Sequence, residues 1–237
     1  MRFGIISLIL VNKFHFIFIG LFFAAPLYAG GTIQGIVTLR GNPPPAQRRA
    51  IVSEHVVCGT RHTDDDLKVD NGHIENVVVY LEGPMTQGKA LNLNEPKVVE
   101  QKGCQFVPHL TLLPAGAPLL IKNSDGILHN FRTLSRANPP QNLSQMAGGP
   151  PLRLILERPE VIELACDLHR WMQAWVVVMG NAYYALSDAA GHYQLTDVPA
   201  GDYRLVSWQE RLGRMDKRVV VHEGEVANQN FIFVMKP

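Results

Sequence analysis

The feature that most constrains this chain is how often it is interrupted. Beyond residue 30, clusters of Gly, Pro, Asn and Asp break it into short apolar runs. No long segment carries apolar residues at helical spacing between a cap and a stop. The runs 32–39, 76–81, 118–122, 161–166, 175–179, 203–208, 218–222 and 230–234 are rich in β-branched and aromatic residues and read as strands. Short strands with frequent turns predict an all-β protein built from β-sandwiches.

The 237 residues fall into an N-terminal segment and three regions. Residues 1–29 read as an export signal. Arg2 and Lys13 supply positive charge, an apolar stretch runs from Phe14 to Ala25, and Leu27-Tyr28-Ala29 ends in the small residue a signal peptidase needs. The stretch is short for a membrane span. Cleavage takes Arg2 and Lys13 from the 22 basic residues and nothing from the 21 acidic ones, leaving a nearly balanced chain. That balance gives no electrostatic case for nucleic acid or an anionic membrane. The expected setting is periplasmic or secreted, with no membrane contact in the mature form.

The three regions are 30–83, 84–180 and 181–237. In the last, Tyr193 and Leu195 alternate with polar neighbours, as do Tyr203 and Leu205, and Pro199 and Gly201 supply the turn between them. This pattern resembles the carboxypeptidase regulatory-like, or prealbumin-like (transthyretin-like), β-sandwich, in which strands such as 35–39 and 77–81 come first. The resemblance implies that 30–83 and 181–237 form two parts of one sandwich with 84–180 inserted in a loop. Tandem domains are the simpler alternative, and both stay open. Residues 137–151, rich in Pro, Asn, Gln and Gly, read as a mobile loop.

Three cysteines, Cys58, Cys104 and Cys166, lie beyond the signal, so pairing in an oxidising compartment leaves one thiol over. Cys58 and Cys104 are the natural disulfide pair. A second metal site using Cys104 and His109 with His55, His62 or His73 is the alternative. Cys166 opens the string Cys166-Asp167-Leu168-His169-Arg170-Trp171-Met172, spaced C-x2-H-x2-M. It follows a strand in which Ile162, Leu164 and Cys166 share one face. A thiolate, imidazoles and a weak thioether suit one copper ion cycling between Cu(I) and Cu(II) better than zinc, for which Met is a poor ligand. His129, emerging after the strand and turn at 119–128, is the candidate for the remaining ligand.

A strand ending in N-x-D, then His129-Asn130, then C-x2-H-x2-M resembles the cupredoxins, with the short ligand loop of amicyanin. The likeness covers 112–180 and implies a Greek-key cupredoxin sandwich. It also implies in-plane ligands His129, Cys166 and His169, a long axial Met172, and Asn130 tying the two ligand loops together. His169 would then be the ligand nearest the surface and the electron's exit, with Trp171 in an apolar docking patch and Arg170 beside it. The whole chain resembles periplasmic proteins often named methylamine utilization proteins, which join such a cupredoxin to a regulatory-like sandwich. Arg170 and Gln209 depart from that pattern, where proline and histidine are usual.

The expected function is electron transfer with a redox protein partner. Copper storage or delivery is one alternative, and a carbohydrate-binding or assembly module another. Trp208 and Tyr203 could stack on a glycan, although their alternation favours core packing. Asp64-Asp65-Asp66 reads as a solvated acidic turn. An oxidase or reductase would need further ligands or a substrate pocket, and the sequence assigns neither.

Overall fold

The computed structural model describes residues 30–46, 48–51, 53–63 and 66–235. The export signal read over 1–29 lies outside the described residues, as do Asp64 and Asp65. The described residues are all-β apart from a single turn of helix at His55–Cys58, and among them no helix is long and apolar enough to cross a membrane.

Four larger sheets form two sandwiches. The central sandwich uses strands from Lys97–Gln101 to Gln173–Met179. One of its sheets orders Leu152–Ile155, Pro118–Asn123, Lys97–Gln101 and Phe106–Val107. The other orders Asn142–Gln145, His129–Thr133, Glu160–Ala165, Gln173–Met179 and Leu110–Pro114. Between them Val99, Leu119, Ile121, Phe131, Ile162 and Leu164 are fully buried.

The second sandwich draws on both ends of the chain. Gly31–Arg40 pairs antiparallel with His192–Val198 and parallel with Val226–Asn228 and Phe231–Val234. Gly35 sits where that parallel edge changes strand. A Cβ there would lie 1.8 Å from the Gln229 carbonyl oxygen, so only glycine fits. The facing sheet places Val78–Leu81 between Tyr184–Leu186 and Gly201–Gln209. Ile33, Ile74, Leu195, Leu205 and Phe231 fill this two-part core. Where the chain crosses between sandwiches, Asn181 Nδ2 donates to the carbonyls of Leu81 and Gly83, both at 2.8 Å, so outgoing and returning strands run side by side.

The sandwiches stack directly on each other. Val77-Val78-Val79-Tyr80-Leu81 and Trp175-Val176-Val177-Val178-Met179 are continuous apolar runs, as expected of strands covered on both faces. Alternate residues serve different cores. Val79 and Leu81 face the two-part core and Val176 and Val178 the central one, while Val78, Val177 and Met179 meet in a third cluster between the sandwiches. Trp175 and Trp208 make an edge contact there, with centroids 5.2 Å apart. Glu210 accepts from the Trp175 indole N–H and lies 2.6 Å from His109 Nε2.

Two departures from expectation are local. The stretch 137–151 contains an ordered strand, Asn142–Gln145, paired to His129–Thr133. An edge strand with one neighbour needs no apolar alternation, so its polar sequence hid it. The segment around the helix, although inside region 30–83, sends Ile51, Val57 and Cys58 into the core of the central sandwich. Cys58 and Cys104 form a disulfide across it.

Candidate metal centre

Two stretches of the central sandwich meet at its end. Asn123 closes the first: its Nδ2 donates to the Ile127 and Gln145 carbonyls at 2.8 and 2.9 Å, and its Oδ1 accepts from Asp125 N–H at 3.0 Å. That turn delivers His129 as the first residue of a strand, in phase with the core residue Phe131. In the second stretch Ile162 and Leu164 point inward, and the same phase carries Cys166 into the core just past the strand's end. Pairing of these strands stops at Arg132↔Ala165, so the ligand loop lies opposite His129 instead of in the ladder. The loop is closed by Met172 N–H donating to the His169 carbonyl at 2.8 Å and Cys166 N–H to the Met172 carbonyl at 3.3 Å.

Three donor atoms converge there. His129 Nδ1 lies 3.0 Å from His169 Nδ1, and Cys166 Sγ 3.7 Å from His169 Nδ1. Two imidazoles on one ion at ~2.0 Å bonds in a tetrahedral arrangement sit ~3.3 Å apart, and a thiolate and an imidazole ~3.5 Å apart. The observed edges match that scale, so the residues present fit a single small metal ion. His129, Cys166 and His169 are all buried, at 0%, 3% and 4% exposure. Met172 is buried in the same apolar cluster as Cys166 and Trp171.

The electrostatics favour the ligating forms of Cys166 and His169. Burial pushes the Cys166 thiol up, but the His129 imidazole and the backbone groups of Asn130, His169 and Leu168 outweigh it and bring the thiol below its ordinary range. Burial also lowers His169, and the neighbouring His129 charge adds to this, favouring the neutral imidazole a metal requires. His129 moves the other way: burial lowers it, yet the Cys166 sulfur and the Asp125 carboxylate raise it overall.

The surrounding contacts sort the ring nitrogens. Asp125 Oδ2 lies 2.8 Å from His129 Nε2. An ionised carboxylate only accepts, so Nε2 carries the proton and Nδ1 offers its lone pair to the cluster. Asn130 Oδ1 accepts from the Cys166 thiol at 3.2 Å and from Asp167 N–H at 2.8 Å, while its Nδ2 donates to Asn142 at 2.7 Å. Asn130 therefore contacts both stretches. Sequence reasoning missed Asp125 as a supporting residue, although the N-x-D string at 123–125 is the signal that marks it.

Other site residues fall differently. Trp171 is only 8% exposed, and its indole N–H donates to the Cys104 carbonyl at 3.1 Å, so it packs beneath the loop and is not a docking surface. His169, against its ring at 5.2 Å, is also covered, although at 4% it is the most exposed of the four candidate ligands. Arg170 is exposed. Cys104 is disulfide-bonded and His109 pairs with Glu210, which removes the second cysteine–histidine site. Trp208 packs on Trp175, and the Tyr203 hydroxyl donates to the Pro199 carbonyl at 2.9 Å, so both aromatics have intramolecular roles. Gln209 caps a turn: its Oε1 accepts from Arg211 and Leu212 N–H, and its Nε2 donates to the Asp66 carbonyl at 2.8 Å.

No family model matches the chain, and no curated protein matches it. Among solved structures, part of the chain is similar to a copper-containing nitrite reductase from Thermus scotoductus, at 19% identity and TM-score 0.34. That match covers 41% of this chain and 25% of the reductase. A purple cupredoxin from Nitrosopumilus maritimus is similar at 17% identity and TM-score 0.31, over 35% of this chain and 99% of its own. A Cu(I) amicyanin variant is similar at 17% identity and TM-score 0.30, over 35% of this chain and 82% of its own.

Proposed function

We propose that this chain is an exported mononuclear copper protein that carries single electrons. Cys166, His129 and His169 would hold the ion, with Met172 as a weak fourth ligand. Bound copper supplies a one-electron couple between Cu(I) and Cu(II). The protein's part is to keep the donors still. Asn130 joins the two ligand-bearing stretches, Asp125 fixes the His129 tautomer, and two backbone bonds close the Cys166–Met172 loop. A set so fixed serves both oxidation states with little rearrangement. Burial of all three converging donors excludes water from them.

The observation that carries this reading is the convergence of His129 Nδ1, His169 Nδ1 and Cys166 Sγ within 4.8 Å of one another at the buried end of a β-sandwich. The disulfide fits an oxidising, exported setting. A redox partner would dock on Leu128 and Leu168, which adjoin two ligands and are 40% and 52% exposed, with Arg170 beside them. The strand pairing supports reading 84–180 as a domain nested between 30–83 and 181–237, with the segment around Ile51–Cys58 reaching across to it.

Purified protein loaded with Cu(II) tests this reading. It should bind one ion per chain, show an intense visible thiolate-to-copper band, and cycle reversibly. A colourless copper-loaded protein would end it. Colour without a reversible couple would favour copper storage.

A further inference from the structure

The disulfide lies against the metal centre, and its sequence gives no hint of that. Leu39 and Ile74 belong to the two-part core, yet between them Ile51, Val57 and Cys58 cross to the central sandwich, where Cys58 is bonded to Cys104. Cys104 holds one partner on each arm of the site. Its N–H donates to Asp125 Oδ2 at 2.8 Å, and that same oxygen lies 2.8 Å from His129 Nε2. Its carbonyl accepts the indole N–H of Trp171, which sits in the ligand loop between His169 and Met172. The Cys104 sulfur itself lies within 4.8 Å of the Asp125 and His129 donor atoms. Cys104 also has φ 56, and Gly103 beside it donates N–H to Asp125 Oδ1 at 2.6 Å. A cysteine held in the left-handed region is unfavourable locally and persists only where its surroundings fix it.

We infer that the Cys58–Cys104 disulfide is a positioning element of the metal centre, which makes metal affinity depend on the disulfide's redox state. This rests on the metal-binding reading above. With the disulfide closed, residue 104 presents its N–H to Asp125 and its carbonyl to Trp171, and so sets His129 and the ligand loop together. Reduction takes two electrons from a dithiol, which closes to its own disulfide, or from a phosphine, which takes oxygen from water and becomes the phosphine oxide. The two protons come from the dithiol or from that water, and two free thiols result. Residue 104 then relaxes, and both arms lose their shared anchor. Coupling of this kind is reciprocal: a metal bound tighter when the disulfide is closed protects the disulfide from reduction by the same factor.

The test uses Co(II), which needs no redox change to bind and reports thiolate ligation in the near ultraviolet. The Cys58→Ala/Cys104→Ala variant should bind Co(II) at least tenfold more weakly than the wild type. In the metal-free proteins, maleimide should label buried Cys166 at least tenfold faster in the variant. Reduction of the wild-type disulfide by a phosphine should slow when Co(II) is bound. Equal affinities, or equal labelling rates, would overturn the inference. If wild-type protein gave no thiolate band with Co(II), the metal-binding reading would fail, and the labelling rates would still decide whether the disulfide holds Cys166 in place. If the variant lost its β-sheet circular dichroism, phosphine-reduced wild-type protein labelled at Cys166 would decide, and unchanged labelling there would again overturn the inference.

Discussion

The two sandwiches differ in where their buried polar side chains find partners. In the two-part sandwich, several buried polar side chains bond to backbone. Ser187 Oγ donates to the Ile74 carbonyl at 2.7 Å and accepts Val77 N–H at 2.9 Å. Asn181 ties the crossing strands, and Tyr183 donates its hydroxyl to the Asp197 carbonyl. Each closes a turn or joins neighbouring strands. At the end of the central sandwich Asn123 does the same, but a further set of buried side chains bond to one another: His129 to Asp125, Asn130 to Asn142 and Cys166, with His169 facing His129. Side chains that satisfy backbone hold a fold together. Side chains that satisfy each other and still offer lone pairs to one point can hold a ligand.

The sharpest way to break this contrast is at the converging donors. Cys166→Ser should lower copper affinity at least a hundredfold and remove the visible band, because a hydroxyl is a hard, weak replacement for thiolate. Isothermal titration and absorption spectra check both. Asp125→Ala comes next. Losing a carboxylate that orients a ligating histidine costs about 10–100-fold in metal affinity, and metal competition titration would measure it.

Ser187→Ala should act on the other side of the comparison. It leaves the Val77 N–H buried without its partner and costs about 1–3 kcal/mol in denaturant unfolding, with copper affinity unchanged. A shift in affinity there would blur the distinction drawn above.

How much of this could be read from the sequence depends on the range of the signal. Alternation at Tyr193/Leu195 and Tyr203/Leu205 marked strands because period two is local. The C-x2-H-x2-M spacing placed Cys166 and His169 near each other because a seven-residue loop leaves little choice. Asp125 escaped because its role depends on which ring nitrogen of a residue four positions away it meets. Trp171 looked like a surface residue beside the ligands, and its burial follows from a long-range bond to Cys104. The stacking of the sandwiches was written in the unbroken apolar runs 77–81 and 175–179, which local alternation arguments treat as ordinary strands.

The smallest expected effect lies where the sandwiches meet. Burial lowers the His109 pKa, but its bond to Glu210 and that group's charge outweigh it, so the net shift is upward from 6.5. A raised histidine pKa contributes stability that is fully present below the unfolded value near 6.5. It is lost as pH rises through the higher folded value. Thermal melts should show this decline above pH 6.5 in the wild type and a flatter profile in Glu210→Gln. Because His109 is half-exposed, the amplitude should stay under about 1 kcal/mol.

X-ray absorption at the copper edge of the loaded protein is the most direct test of the central claim. One short copper–sulfur distance and two copper–nitrogen distances, with the short sulfur distance lost in Cys166→Ser, are the predicted result. A shell of oxygen and nitrogen alone, unchanged by that substitution, would contradict it.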